Sequence, residues 1–201
     1  MKIEEKNTLD FLKESPNCNL YKGLLAHDGK YFSAIHHIII NKPKLILEYG
    51  GGHSTLILSI LLGELNYGGK IVSFEDNKEY YDYHNSNGSN KYNNIVYVED
   101  TTIDTDEEVS IERNGIPGTR FTYIHDLEPY KDVEFIIIDG PDERITNTAI
   151  TTNLELFVDY LGKESPYFLD GRRGGVDYYK NVKKYKLEVE DVKKYGTHGL
   201  K

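Results

Sequence analysis

The chain has one cysteine, one methionine, six prolines and no tryptophan in 201 residues, and the scarcities narrow what it can be. A single thiol, Cys18, excludes a disulfide framework and any zinc cluster built on cysteines, and it fits a reducing compartment. Apolar runs are short, Ile38–Ile40 and Phe135–Ile138 among the longest, so none approaches the roughly 20 residues of a membrane span. Met1–Lys6 mixes charges with no apolar stretch behind it, and no secretory signal is legible there, so a cytoplasmic location is expected. Basic residues are outnumbered 24 to 33 by acidic ones, a formal charge of −9, which argues against a nucleic-acid partner.

What is present suffices for a core: 38% hydrophobic and 12% aromatic residues in a length that suits one domain. Lys44–Tyr49 is a near-continuous apolar strand behind Pro43, closed by Gly50-Gly51-Gly52. Ser54 and Thr55 then open a helix through Leu62. Further strands are expected at Ile71–Phe74, ending in Glu75-Asp76, and at Ile95–Val98, ending in Glu99-Asp100, with a helix over Lys78–Asn85 between them. Val133–Ile138, closed by Asp139-Gly140-Pro141, is the strongest strand. A helix from about Thr148 to Leu161 and a short strand Pro166–Leu169 ending in Asp170 complete the alternation, with a weaker helix over Val176–Tyr185 and a strand over Lys186–Val192.

This rhythm predicts a Rossmann-like, doubly wound α/β fold: a mostly parallel sheet with helices on both faces. Residues 1–42 read as an N-terminal helical cap, with Phe32, Ile35, His36 and Ile39 at helical spacing, and 43–201 as the core of a single domain. Thr101–Asp132 is a long insertion of the kind that often carries a substrate site.

In such sheets ligands bind beyond the carboxyl ends of the strands. The candidates there are Glu48, Gly50, Gly51, Gly52, His53, Ser54 and Thr55 after the first strand, Glu75 and Asp76 after the second, Asp100 after the third and Asp139 after the fourth. Glycine lets a ligand approach the backbone, and an acid ending the second strand can accept both hydroxyls of a ribose. A dinucleotide fingerprint needs a third glycine where Thr55 stands, which disfavours NAD. A phosphate loop needs Lys followed by Ser or Thr, whereas Gly69-Lys70-Ile71 lacks the hydroxyl and opens a strand. An adenosine ligand without pyrophosphate and with positive charge is left, and S-adenosylmethionine fits.

Leu47-Glu48-Tyr49-Gly50-Gly51-Gly52-His53-Ser54-Thr55 resembles the first motif of class I S-adenosylmethionine-dependent methyltransferases, and Ile136-Ile137-Ile138-Asp139-Gly140-Pro141 is similar to their fourth-strand motif. The resemblance spans about Pro43 to Gly171. It implies that Gly50–Gly52 approach the methionine part of the cofactor, Glu75 binds ribose, Asp100 or Glu99 lies near adenine, and Asp139 faces cofactor and acceptor. It also implies O-methylation of a sugar hydroxyl in a glycan, or of another small polar acceptor, in a chain that bears a loose likeness to methyltransferase domains fused to glycosyltransferases and is expected to be a piece of a longer protein.

Methyl transfer to a hydroxyl needs alignment and removal of one proton. Asp139 and Asp170 end successive strands, a layout similar to metal-dependent O-methyltransferases, which implies Mg2+ on those two acids; Gly171, where those enzymes place an Asn, counts against it. Asp139 or His125 acting as base is the metal-free alternative. Tyr123, Arg172 and Arg173 are the substrate-binding candidates, the arginines suiting a carboxylate or sugar hydroxyls. A non-catalytic adenosine-binding scaffold domain is the competing reading, and the acids intact at every strand end argue against it.

Overall fold

The computed structural model describes residues 3–27, 29–88, 93–99, 101–104, 119–140, 149–161 and 166–169. Three helices come first: α1 (Ile3–Glu14), α2 (Cys18–His27) and α3 (Tyr31–Asn41). The last stops at Lys42, whose left-handed backbone (φ 50°) returns its N–H to the Ile38 carbonyl just before Pro43. The alternation follows as β1 (Leu45–Tyr49), α4 (His53–Leu65), β2 (Lys70–Glu75), α5 (Lys78–Gly88) and β3 (Asn93–Tyr97). After two strands of a different sheet, β4 (Thr101–Asp104) and β5 (Thr119–Tyr123), the chain enters β6 (Phe135–Ile138), then β7 (Ala149–Thr151), α6 (Asn153–Leu161) and β8 (Tyr167–Leu169).

The main sheet has five strands in the order β3-β2-β1-β6-β8, and every pairing in it is parallel. The chain builds outward from β1 through β2 to β3, then crosses to β6 and β8 on the other side. The order therefore reverses between β1 and β6, which is where open α/β sheets hold their ligands. This is the expected Rossmann-like α/β fold.

Side chains that alternate along each strand feed two core layers. Ile46, Ile71, Phe135, Ile137 and Phe168 pack with Phe32, Ile35 and Ile38 of α3, Leu12 of α1, Leu25 of α2 and Leu58, Leu61 and Leu62 of α4. Leu47, Tyr49, Val72, Phe74, Ile136 and Ile138 face the other way, onto Leu154 and Phe157 of α6 and Tyr123 of β5. The N-terminal helices thus share one core with the sheet. Among the described residues, no helix is long and apolar enough to cross a membrane.

The structure departs from expectation in two places. The insertion supplies β4 and β5 of a second, three-stranded sheet of order β4-β5-β7, with β4 antiparallel and β7 parallel to β5. The helix expected from Thr148 starts at Asn153, because Ala149–Thr151 pairs with Thr119–Phe121 of β5; a partner about 30 positions away overrides the local helical pattern. The expected helix over 176–185 and strand over 186–192 lie outside the described residues.

Candidate active site at the sheet switch point

The backbone closes the switch point tightly. Asp139 and Gly140, just past β6, both donate their N–H groups to the Tyr49 carbonyl at 2.8 and 2.6 Å. Gly50 turns there with φ +93°, and a Cβ on it would lie 2.5 Å from Gly140 Cα. A Cβ on Gly140 would in turn meet the Tyr123 hydroxyl and lie 2.9 Å from Gly50 Cα. Side chains are therefore excluded at both positions by contact of two turns. Above Gly52 the situation is opposite: a Cβ there would meet nothing among the described residues within 4 Å, which leaves that face of the turn open.

Glu48 organises the turn from beneath. Its carboxylate is fully buried and accepts hydrogen bonds from Ser54 Oγ at 2.8 Å and from Thr55 Oγ1. Thr55 Oγ1 also accepts the Gly52 N–H at 2.9 Å, so the glycine turn, the start of α4 and the end of β1 are locked by one chain of bonds. Burial pushes the Glu48 carboxyl above the ordinary range, and the bonds from Thr55, Ser54 and Ser73 pull it back. Glu48, Ser54 and Thr55, read from the sequence as ligand contacts, are thus turned inward onto one another. His53, the first residue of α4, is exposed.

Three acids flank the turn. Glu75 is 5% exposed, and its Oε1 accepts the Asn77 N–H at 2.7 Å. A side chain on Gly51 would come 3.5 Å from Glu75 Cβ, which puts this acid directly beside the glycines. Asp76 accepts the Tyr123 hydroxyl at 3.1 Å. Asp139 is half-buried and accepts the hydroxyl of Tyr31, the first residue of α3.

Two aromatic candidates have work of their own. Tyr123 is 1% exposed, and its backbone N–H and carbonyl are held by the Asn153 side chain at 2.9 and 2.8 Å. It is a strut from β5 to the strand ends rather than an open wall. His125 stacks on Phe74 with centroids 4.0 Å apart. Its Nδ1 lies 2.9 Å from the Asp126 carbonyl, which can only accept, so Nδ1 carries the proton and Nε2 accepts from the Tyr49 hydroxyl at 2.9 Å. Burial lowers its pKa, against an opposing pull from Asp126. With both ring nitrogens engaged, His125 is a neutral packing residue rather than a base in reach of an acceptor.

Asp100, Asp170, Arg172 and Arg173 lie outside the described residues. Among the described residues no group of three or more His, Cys, Asp or Glu side chains could hold a metal ion, and the Asp139 carboxylate is engaged by Tyr31. Of the two acids expected to hold Mg2+, Asp139 is among the described residues and Asp170 is not.

Tyr31, Tyr49 and Asn153 are the residues that sequence reasoning missed. Tyr31 is 108 positions from Asp139, and nothing local signals the pairing. Asn153 directly follows the β-branched run Ile150–Thr152, a place that marks the start of a helix once Ala149–Thr151 is read as a strand.

No protein-family model matches the chain, and no curated protein matches it. Among solved structures, it is similar to a proposed O-methyltransferase from Klebsiella pneumoniae, at 17% identity and TM-score 0.39 over 96% of this chain and 75% of the other. It is also similar to the O-methyltransferase from Bacillus cereus in complex with S-adenosylhomocysteine, at 17% identity and TM-score 0.40 over 100% of this chain and 76% of the other.

Proposed function

We propose that the protein is an S-adenosylmethionine-dependent O-methyltransferase whose acceptor is a sugar hydroxyl in a glycan or another small polar hydroxyl, working in the cytoplasm. The observation that carries the reading is the ring of acids, Glu75, Asp76 and Asp139, around a glycine turn at the switch point of a parallel sheet. Acids without a P-loop or a dinucleotide fingerprint favour a cationic adenosine ligand over a phosphorylated one.

Bound there, the cofactor supplies a methyl group activated by its sulfonium. The open face of Gly52 lets its amino-acid part approach the backbone. Glu75, beside Gly51 at the end of β2, would accept the ribose hydroxyls. Asp139 would take the acceptor hydroxyl's proton, leaving the oxygen to receive the methyl group as its bond to sulfur breaks and S-adenosylhomocysteine departs. Glu48 acts through the turn it holds and is a positioning residue.

The test is transfer of labelled methyl from S-adenosylmethionine to a panel of mono- and oligosaccharides, with a catechol as the non-sugar hydroxyl. Label should appear in a sugar acceptor, and Asp139→Asn should lower the rate at least about a hundredfold while S-adenosylhomocysteine still binds. Transfer to the catechol alone would refute the sugar reading, and an active Asp139→Asn variant would refute the role given to that acid.

A further inference from the structure

Asp139 is held from two directions. Its backbone N–H is donated to the Tyr49 carbonyl at 2.8 Å, which fixes the main chain at the end of β6. Its carboxylate receives the hydroxyl of Tyr31 on Oδ2. Tyr31 is 2% exposed, and its ring rests on Phe168 of β8, with centroids 5.1 Å apart. The phenol is thereby aimed across the ends of β6 and β8 from a helix that belongs to the N-terminal layer. A tyrosine used only for packing has no need to place its hydroxyl on a carboxylate at the ligand edge of the sheet.

We propose that Tyr31 is a positioning residue of this site: its hydroxyl, donated to Asp139, sets the direction of that carboxylate and makes the N-terminal helical layer part of the catalytic apparatus. The assignment rests on the methyltransferase reading for what Asp139 does, though the Tyr31–Asp139 contact itself does not. Among the described residues, Asp139, Glu48 at the end of β1 and Ser54 on α4 act on the phenol. Burial raises the Tyr31 pKa well above its ordinary value, and the negative charges of Asp139 and Glu48 raise it further, against a lowering bond from Ser54. The phenol therefore keeps its proton throughout any working range of pH and always acts as the donor. A carboxylate stabilised by such a donor loses that stabilisation when the donor is deleted, so its proton affinity rises.

The test is Tyr31→Phe, which keeps the ring against Phe168 and removes one oxygen. The Asp139 carboxyl, assigned by comparison with Asp139→Asn, is followed by 13C NMR titration in the parent and in the variant. The midpoint should rise by about one pH unit in Tyr31→Phe, equivalent to a tenfold change in proton affinity. An unchanged midpoint in a folded variant overturns the proposal. Should Tyr31→Phe fail to fold, thermal melts of Asp139→Asn decide: the contact predicts a melting temperature that falls when the acceptor is neutralised, and a rise overturns it. S-adenosylhomocysteine titration of the parent stands apart from both. Absence of binding would overturn the methyl-donor reading while the Asp139 midpoint still reports on Tyr31.

Discussion

Gly50 and Gly140 are the residues on which the site's geometry turns, since each occupies the space that a Cβ on the other would need. Gly52, two positions on, has an extended backbone (φ −174°) that any residue adopts, and open space above it. The contrast makes a prediction. Gly50→Ala forces a side chain into the left-handed region and against Gly140, and should cost roughly 2 to 4 kcal/mol of stability. Gly52→Ala should change stability by no more than about 0.5 kcal/mol, yet weaken S-adenosylhomocysteine binding, because its methyl enters the face the ligand would use. Urea unfolding and calorimetry of the two variants check both statements; equal destabilisation would contradict the geometry. At this scale the sequence was informative about glycines and less so about acids. The run Gly50–Gly52 announces a turn, but the inward pull of Ser54 and Thr55 on Glu48 follows from burial, which no local pattern reveals.

Among the elements, the main sheet was legible because its strands are buried on both faces and read as continuous apolar runs: Leu45–Tyr49, Lys70–Glu75 and Phe135–Ile138 lie within about two residues of expectation. The second sheet was not. Thr119–Tyr123 is rich in strand formers after Pro117-Gly118, a signal that could have been used, but its partners lie in Thr101–Asp104 and Ala149–Thr151, on either side in sequence. A reciprocal bond pair between Asn153 and the Tyr123 backbone ties this sheet to the start of α6, both residues being buried. Asn153→Ala leaves a buried N–H and a buried carbonyl without that partner, and should cost about 2 to 3 kcal/mol. Hydrogen exchange should quicken at Tyr123 and its β5 neighbours while the amides of β1 and β6 keep their protection. Uniform loss of protection would mean that the two sheets open as one unit.

Over the whole molecule, the three N-terminal helices are more than a cover. They complete one face of the core through Leu12, Leu25, Phe32 and Ile35, and they deliver Tyr31 to the end of β6. Helical spacing in Phe32, Ile35 and Ile39 foretold the first of these roles, whereas the second depends on a contact spanning the sheet's crossover and left no mark in the sequence. The placing of Glu75, Asp76 and Asp139 at one edge was legible for the opposite reason: strand, turn and acid are adjacent in the chain, and the parallel topology gathers those strand ends together. On this reading the edge takes an adenosine ligand without phosphate in place of a phosphorylated nucleotide. Calorimetric titration of the protein with S-adenosylhomocysteine, with NAD and ATP as controls, tests it most directly. Saturable binding of S-adenosylhomocysteine is expected, with a Kd on the order of micromolar, about −8 kcal/mol, and no heat from the other two. Binding of NAD or ATP in its place, or of none of the three, would contradict it.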